Sequence, residues 1–216
     1  MTDTDTFIAP DAEPDAEPDA DSAAPSKSRV RHRGAYIEML ISSVLGLIAS
    51  FVLSVDALAI AADPDAEFSC DISATISCGA VGRTWQAELL GFPNAFLGLI
   101  TEPVVITVAL AALGGVRFPR WFMITAQVFY SIGLIFAYWL FYQAYFNIHA
   151  LCPWCLLITA TTTFVFTSIT RVNILDGHLG EGVRRKLTPA LRYNADTVGA
   201  VLVLAIIAAM VTYTYL

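Results

Sequence analysis

The chain has 216 residues, of which 56% are hydrophobic and 14% are charged. A soluble domain carries about 25% charged residues, so this composition is not that of a single soluble globule. The net charge of −7 is unevenly distributed, because eight of the 19 acidic residues and none of the 12 basic residues fall in positions 1–26. The rest of the chain is close to neutral, which excludes a nucleic-acid-binding protein that works through one large basic face.

The first element along the chain is an acidic tail that repeats the sequence Asp-Ala-Glu-Pro at 11–14 and 15–18. It contains too few large apolar side chains to offset the entropy lost on ordering. We expect a disordered, acidic cytoplasmic tail over residues 1–34 that ends in a basic flank. Its charge serves either solubility or the docking of a partner.

Five apolar segments follow the tail, and each is close to the roughly 20 residues that a helix needs to cross a bilayer. They are 35–58, 95–113, 121–145, 150–170 and 198–216. Eleven of the twelve basic residues flank these segments on one side, and only Arg83 falls on the other. The positive-inside rule therefore predicts a cytoplasmic N-terminus and an external C-terminus. The first segment also has features of a cleaved signal peptide, although its apolar stretch is longer than usual.

All four cysteines fall on or near the predicted outer face. Cys70 and Cys78 lie in the outer loop 59–94, whereas Cys152 and Cys155 begin the fourth apolar segment. Because disulfides persist outside the cytoplasm, two pairs on this side indicate thiol–disulfide chemistry. The second pair forms a Cys-Pro-Trp-Cys sequence at a helix N-terminus, where a thiolate is favoured. On a helix, its second sulfur lies roughly 4.5 Å deeper in the bilayer than its first.

Two other uses of the cysteines remain open. Four thiolates can hold one structural zinc ion, but an oxidising compartment and the lack of a histidine pair disfavour that use, so we expect no metal site. Two ordinary structural disulfides are the second alternative. A bridge between residues three positions apart closes almost no loop and adds little stability, which favours a redox role for the second pair.

Three short motifs occur in order along the chain. They are Cys-Asp-Ile-Ser-Ala-Thr-Ile-Ser-Cys at 70–78, Asn-Ala-Phe-Leu-Gly at 94–98 and Cys-Pro-Trp-Cys at 152–155. This combination resembles the vitamin K epoxide reductase family, in particular its bacterial homologues.

The resemblance implies an all-α membrane protein. Its core would be a four-transmembrane-helix bundle over residues 35–170, built around a quinone and carrying the extracytoplasmic loop 59–94. A basic cytoplasmic loop over 171–197 and a fifth transmembrane helix at 198–216 would lie outside that core.

The resemblance also implies a quinone-dependent thiol oxidoreductase of the inner or plasma membrane, with its active site on the extracytoplasmic side. A thioredoxin-like (DsbA-like) protein would reduce a Cys70–Cys78 disulfide, and a loop thiolate would then attack Cys152, the shallower sulfur of its pair. Cys155 would pass the electrons to menaquinone or ubiquinone, which the sequence does not distinguish. The reaction would support disulfide formation in secreted proteins. Since many bacterial relatives carry a fused thioredoxin-like domain after the fifth helix and this sequence ends at Leu216, we expect a separate soluble partner.

Two further functions stay open at this point. One is a vitamin K quinone or epoxide reductase proper, although animal members place Thr-Tyr-Ala where this chain has Ile-Thr-Ala at 158–160. The other is a non-catalytic membrane scaffold whose disulfides are structural.

Five other polar residues are candidates for supporting roles. Asn94 binds a quinone carbonyl, as the resemblance implies, or caps a helix. Asp71 and Ser77 steer the loop thiols or form a plain turn. His149 moves protons to the reduced quinone or is incidental. Glu102, some eight residues into the second apolar segment, relays protons or is simply held in its protonated form.

Overall fold

The computed structural model describes residues 27–215, with side chains from residue 32 onward. Of the tail predicted to be disordered over residues 1–34, residues 1–26 lie outside the described residues. The described part is helical almost throughout, with these α-helices: α1 (Lys27–Ala62), α2 (Cys78–Gly82), α3 (Ala95–Leu113), α4 (Arg120–Gln143), α5 (Pro153–Leu175), α6 (Glu181–Leu191) and α7 (Ala195–Tyr215). A 3₁₀ turn follows α2 at Trp85–Glu88, and a π-helical turn extends α4 at Ala144–Ile148.

Five of the helical segments are long and apolar enough to cross a membrane. They are His32–Ala62, Ala95–Leu113, Arg120–Ile148, Pro153–Leu175 and Ala195–Tyr215. The predicted all-α membrane fold with five spanning helices is thus confirmed. Helix α1 begins at Lys27, before the predicted boundary at residue 34, because no proline interrupts the basic flank and it continues the first spanning helix.

The spanning helices pack in the order α3, α1, α5, α4, so that α1 and α5 form the centre of the bundle. Helix α7 packs against α5 from the outside. Small residues allow α1 and α3 to approach closely: a Cβ atom added to Gly98 would lie 1.9 Å from Ser50 Oγ. Close contact at small residues is the usual way in which membrane helices associate.

The apolar core of the bundle lies away from the cysteines. Side chains from α1, α3 and α5 form it: Met39, Val105, Ala109, Val165 and Ile169. Three of the four cysteines, Cys70, Cys78 and Cys152, form a separate buried cluster at the other end. Between the two clusters the helices leave a cavity, and this arrangement places redox sulfur atoms at one end of a chamber inside the bundle.

Candidate active site

A short stretch of backbone pairing brings the two cysteine-bearing segments together. The Ser77 N–H donates to the Leu151 carbonyl (3.0 Å), and the Leu151 N–H donates to the Thr75 carbonyl (2.9 Å). These bonds form one parallel bridge between Ile76 and Leu151. Cys78 follows the paired segment 75–77 and Cys152 follows Leu151, so the pairing sets the two cysteines side by side.

The four cysteines that the sequence singles out meet at this point. Cys70 and Cys78 form a disulfide, while Cys152 and Cys155 are free thiols. The sulfur atoms of Cys78 and Cys152 are 3.3 Å apart. Cys70, Cys78 and Cys152 are 7%, 3% and 2% exposed, respectively. A disulfide and a dithiol therefore touch each other through one sulfur of each pair, within a buried cluster.

Cys152 lies outside helix α5 and caps it, which corrects the expectation that both sulfurs of the second pair sit on helical turns. Its backbone is extended (φ −101°, ψ 120°), because Pro153 at the first helical position disfavours a helical conformation in the preceding residue. The side chain turns back over the helix start, where Cys152 Sγ accepts a hydrogen bond from the Cys155 N–H (3.4 Å).

The helix start also stabilises a thiolate at Cys152. A hydrogen bond from the Cys155 thiol lowers the pKa of Cys152, and the backbone N–H groups of Cys155 and Trp154 lower it further. Burial and the nearby Asp56 carboxylate oppose this shift without cancelling it. Of the two free thiols, Cys152 is the one in contact with the loop disulfide. Its thiolate is also stabilised, which favours thiol–disulfide exchange.

Asp71 and Ser77 hold the cysteine loop in shape. Ser77 Oγ donates to Asp71 Oδ1 (2.6 Å), which also accepts from the Gly79 N–H (3.0 Å). Asp71 Oδ2 accepts from the Phe68 N–H (3.0 Å), and Ser77 Oγ caps α2 by accepting from the Ala80 N–H (2.9 Å). Partial burial opposes ionisation, but these hydrogen bonds and Arg83 outweigh it and lower the pKa of Asp71.

Arg83 fastens the same loop from its other side, a role that the sequence analysis missed. Its Nε atom donates to the Pro64 carbonyl (2.7 Å), and a terminal nitrogen donates to the Ala66 carbonyl (2.6 Å). The segment that leads into Cys70 is thereby tied to the end of α2. Its position could have indicated this role, because Arg83 is the one basic residue of the predicted outer loop.

The cavity beside the sulfurs has a volume of about 600 Å³. Helices α1, α3, α4 and α5 all contribute to its walls, and Cys78, Cys152 and Cys155 line it. Much of the lining is apolar and includes Leu53, Leu97, Phe129, Phe136, Leu140 and Leu156. A chamber of this size with mostly apolar walls and a few polar groups has the character of a small-molecule site.

Asn94 lines this cavity at the start of α3, but its side chain makes no capping hydrogen bond with the described residues. Asn94 thus holds the N-cap position of α3 without capping the helix through its side chain. Its Nδ2 atom instead donates to the Gln86 carbonyl (2.6 Å), because the chain between the two residues folds back in a 3₁₀ turn. Asn94 Oδ1 is buried and has no hydrogen-bond partner within residues 27–215. A polar group in that state fits a bound molecule that supplies the missing partner.

The candidates His149 and Glu102 differ in their position relative to the cavity. His149 is exposed in a left-handed backbone conformation (φ 58°) and is not among the residues that line the cavity. Glu102 is only 5% exposed and does line it. The hydroxyl groups of Ser43 and Tyr130 lie near the Glu102 carboxyl group, yet Glu102 Oε2 makes no hydrogen bond to any described residue.

The fold and the site together define a multi-pass membrane protein in which a disulfide and a dithiol meet at a cavity within a helical bundle. The model of the vitamin K epoxide reductase family matches residues 37–170, a range that includes all four cysteines. The chain belongs to this family of membrane oxidoreductases. A comparison with curated proteins found no match.

Proposed function

We propose that this protein is a quinone-dependent thiol oxidoreductase that reoxidises an extracytoplasmic thioredoxin-like protein of the DsbA type. The observation that carries the proposal is the 3.3 Å contact between the sulfurs of Cys78 and Cys152, at the end of the cavity. Thiol–disulfide exchange needs an attacking sulfur in contact with the sulfur that it attacks, and this pair meets that requirement. A scaffold with structural disulfides has no need to keep two free thiols beside a disulfide.

In the first of the proposed steps, the partner's thiolate attacks Cys70, and Cys78 leaves as a thiolate. The partner's second thiol resolves the mixed disulfide, which leaves the partner oxidised and Cys70 reduced. Cys70 and Cys78 take up protons and become thiols. Cys78 then ionises again, and its thiolate attacks Cys152 within an oxidised helical pair, so that Cys155 leaves as a thiolate. Attack by Cys70 on Cys78 restores the loop disulfide and frees Cys152. The final state, an oxidised loop and a reduced helical pair, is the one that the structure describes.

The cavity residues fit a quinone as the electron acceptor. Its apolar walls suit the ring, and Cys155 lines it. The Asn94 amide can donate its second N–H to a quinone carbonyl, and its oxygen, which lacks a partner among the described residues, can accept from a hydroxyl group of the reduced quinone. When bound, the quinone supplies an acceptor for two electrons and two protons, either as menaquinone or as ubiquinone. Cys155 provides the reducing sulfur, Asn94 orients the acceptor, and the apolar walls exclude water from the reduced pair.

We also propose that the site faces outward from the inner or plasma membrane, with the basic residues on the cytoplasmic side. The charge bias between the two sides supports this orientation, as does the presence of a disulfide in the loop. Labelling of intact cells with a membrane-impermeant maleimide tests it through single-cysteine variants. Labelling is expected at cysteines placed at Glu67 and Tyr213, and none is expected at one placed at Arg185; the reverse pattern contradicts the orientation.

The proposed reaction is tested with the purified protein, a reduced DsbA-type protein and a soluble quinone. The wild-type protein is expected to oxidise the partner and reduce the quinone in equal amounts. Cys155→Ser should still exchange disulfides with the partner through the loop pair, but it should not reduce quinone. Quinone reduction at the wild-type rate by Cys155→Ser, or no partner oxidation by the wild type, contradicts the proposed function.

A further inference from the structure

Asp56 is a carboxylic acid placed among the relay sulfurs. It lies on α1, in a segment that lines the cavity together with Cys78 and Cys152. A carboxylate oxygen of Asp56 and the sulfurs of Cys70 and Cys78 all lie within 4.8 Å of one another. Since two of these three groups are joined as a disulfide, they do not form a thiolate metal site in this state.

One oxygen of the half-buried Asp56 carboxylate is left without a partner in the described structure. Asp56 Oδ2 is buried and has no hydrogen-bond partner in the part of the chain that the structure describes. The ion pairs found among the described side chains do not include it. A buried carboxylate oxygen normally has a hydrogen-bond or ionic partner, so a structural role does not account for Asp56 Oδ2.

The surrounding titratable groups leave the sulfurs as the nearest candidates for proton exchange. From the loop, Asp71 is engaged with Ser77 and backbone N–H groups, and Arg83 with two backbone carbonyls. Glu88 lines the same cavity from the 3₁₀ turn. From α5 and its cap, the groups that line the cavity beside Asp56 are the thiols of Cys152 and Cys155.

We propose that Asp56 is the proton carrier of the sulfur relay, accepting protons from the loop thiols and delivering them to the helical thiolates. This inference rests on the proposed function, because it concerns the exchange between the two cysteine pairs. Exchange proceeds through thiolates, whereas the pair that is reduced by the partner begins as two thiols. Apolar side chains pack around the sulfurs (Leu53, Phe68, Val81 and Trp154) and limit the access of water that would otherwise carry the protons.

The carboxylate acts twice in each cycle. First it takes the Cys78 proton, and the Cys78 thiolate attacks Cys152, which breaks the Cys152–Cys155 bond and releases Cys155 as a thiolate. Asp56 passes the proton to Cys155 and regains its charge. It then takes the Cys70 proton, and the Cys70 thiolate attacks Cys78 to re-form the loop disulfide. Cys152 leaves as a thiolate and receives the second proton, so two electrons and two protons have moved between the pairs.

The test follows this internal exchange directly in the full-length protein. The helical pair is first oxidised by a quinone, the loop disulfide is then reduced by a pulse of dithiothreitol, and the mixture is quenched with acid. Maleimide labelling and peptide mapping then count the disulfides of each pair with time, at pH values from 6 to 9. Because the chemical reductant replaces the partner, a failure of the protein to oxidise a DsbA-type protein would be seen separately.

Asp56→Asn is expected to slow the internal exchange by about 10²-fold near neutral pH, the lower end of general acid–base contributions. Its rate should rise steeply with pH as more of the loop thiol ionises without help, while the wild-type rate changes less. Asp56→Glu should recover much of the rate. Glu67→Gln removes an exposed carboxylate near Cys70 and is the matched control, with the wild-type rate expected.

Two results would overturn the assignment. One is a wild-type exchange rate for Asp56→Asn over the whole pH range. The other is an equal loss at every pH that Asp56→Glu does not relieve, because a displaced helix produces that pattern and a missing proton carrier does not. Thermal unfolding of each variant shows whether the substitution has damaged the fold, and an Asp56→Glu protein that folds and stays slow likewise counts against the proposal.

Discussion

The backbone carbonyl of Leu151 accepts a hydrogen bond from the N–H of Ser77, and each of these residues directly precedes a cysteine whose sulfur touches the other. Cys78 and Cys152 are 74 positions apart in the chain. Their contact thus depends on this backbone pairing together with the fixed shape of the loop around Asp71. This geometry selects one sulfur of each pair for the exchange between the pairs. Cys70 is left for the proposed step with the partner protein, and Cys155 for the proposed step with the quinone.

This selectivity predicts which mixed disulfide accumulates when one cysteine is removed. In Cys70→Ser, the Cys78 thiolate can attack Cys152, but no loop thiol remains to resolve the product. We expect a Cys78–Cys152 disulfide in most of the molecules after oxidation by quinone, detected by mass spectrometry of non-reduced peptides. Cys78→Ser is the control and should yield little Cys70–Cys152 disulfide. Equal amounts of the two mixed disulfides would contradict the assigned order.

The hydrogen bonds to Asp71 predict a pH-dependent contribution to stability. Its folded pKa is lowered, so the carboxylate stabilises the folded state above the unfolded value of about 3.9, and this contribution is lost as the pH falls through the lower folded value. Asp71→Asn should reduce the free energy of unfolding at pH 7 by about 1 kcal/mol, the order of one hydrogen bond. Thermal unfolding as a function of pH measures this difference.

The two proteins should become equally stable in acid, because the wild-type carboxyl group is then protonated as well. Asp65→Asn, which removes an exposed carboxylate from the same loop, serves as the control and should leave the melting temperature nearly unchanged. A difference between Asp71→Asn and the wild type that persists unchanged below the folded pKa would show that the charge of Asp71 does not act as described.

Much of this architecture can be predicted from the sequence, because bilayer thickness and cysteine spacing leave few choices. The five spanning helices follow from apolar segments of the required length, and the four cysteines follow from their place beside those segments. The extended backbone of Cys152 could also have been predicted, because Pro153 disfavours a helical conformation in the residue before it. Asp56 gave a signal as well, because it is an ionisable residue within an apolar span.

Other features of the site depend on contacts that the spacing of residues along the sequence does not predict. Pairing of residues 75–77 with Leu151 joins distant parts of the chain by backbone atoms, for which side-chain identity is a weak guide. Asparagine is a common helix-capping residue, yet the Asn94 amide donates a hydrogen bond to the Gln86 carbonyl, because the preceding turn brings that carbonyl within reach. His149 is close to Cys152 in sequence but is not among the residues that line the cavity, and its backbone is in the left-handed conformation.

The amide of Asn94, whose second N–H can donate to a quinone carbonyl, predicts a specific kinetic effect. Asn94→Ala should raise the KM for quinone about tenfold, the loss expected for one hydrogen bond of about 1.4 kcal/mol, while the loop and helical pairs still exchange at the wild-type rate. Steady-state quinone reduction and the rapid-quench exchange assay measure the two effects separately. Asn147→Ala, at an exposed amide, should change neither. An unchanged KM in Asn94→Ala would remove Asn94 from the quinone site.

Close packing of α1 against α3 predicts where the bundle tolerates no added atom. In Gly98→Ala the new methyl group would lie 1.9 Å from Ser50 Oγ and 2.7 Å from Ser50 Cβ, so the two helices must separate. We expect a loss of about 1 to 3 kcal/mol in the free energy of unfolding, typical of an overpacked contact, measured by thermal or denaturant unfolding in detergent. Gly199→Ala is the matched control, because a Cβ there meets no described atom within 4 Å. Since the cavity shares these two helices, Gly98→Ala should also weaken quinone binding; a variant as stable as Gly199→Ala would show that the helices are not in close contact.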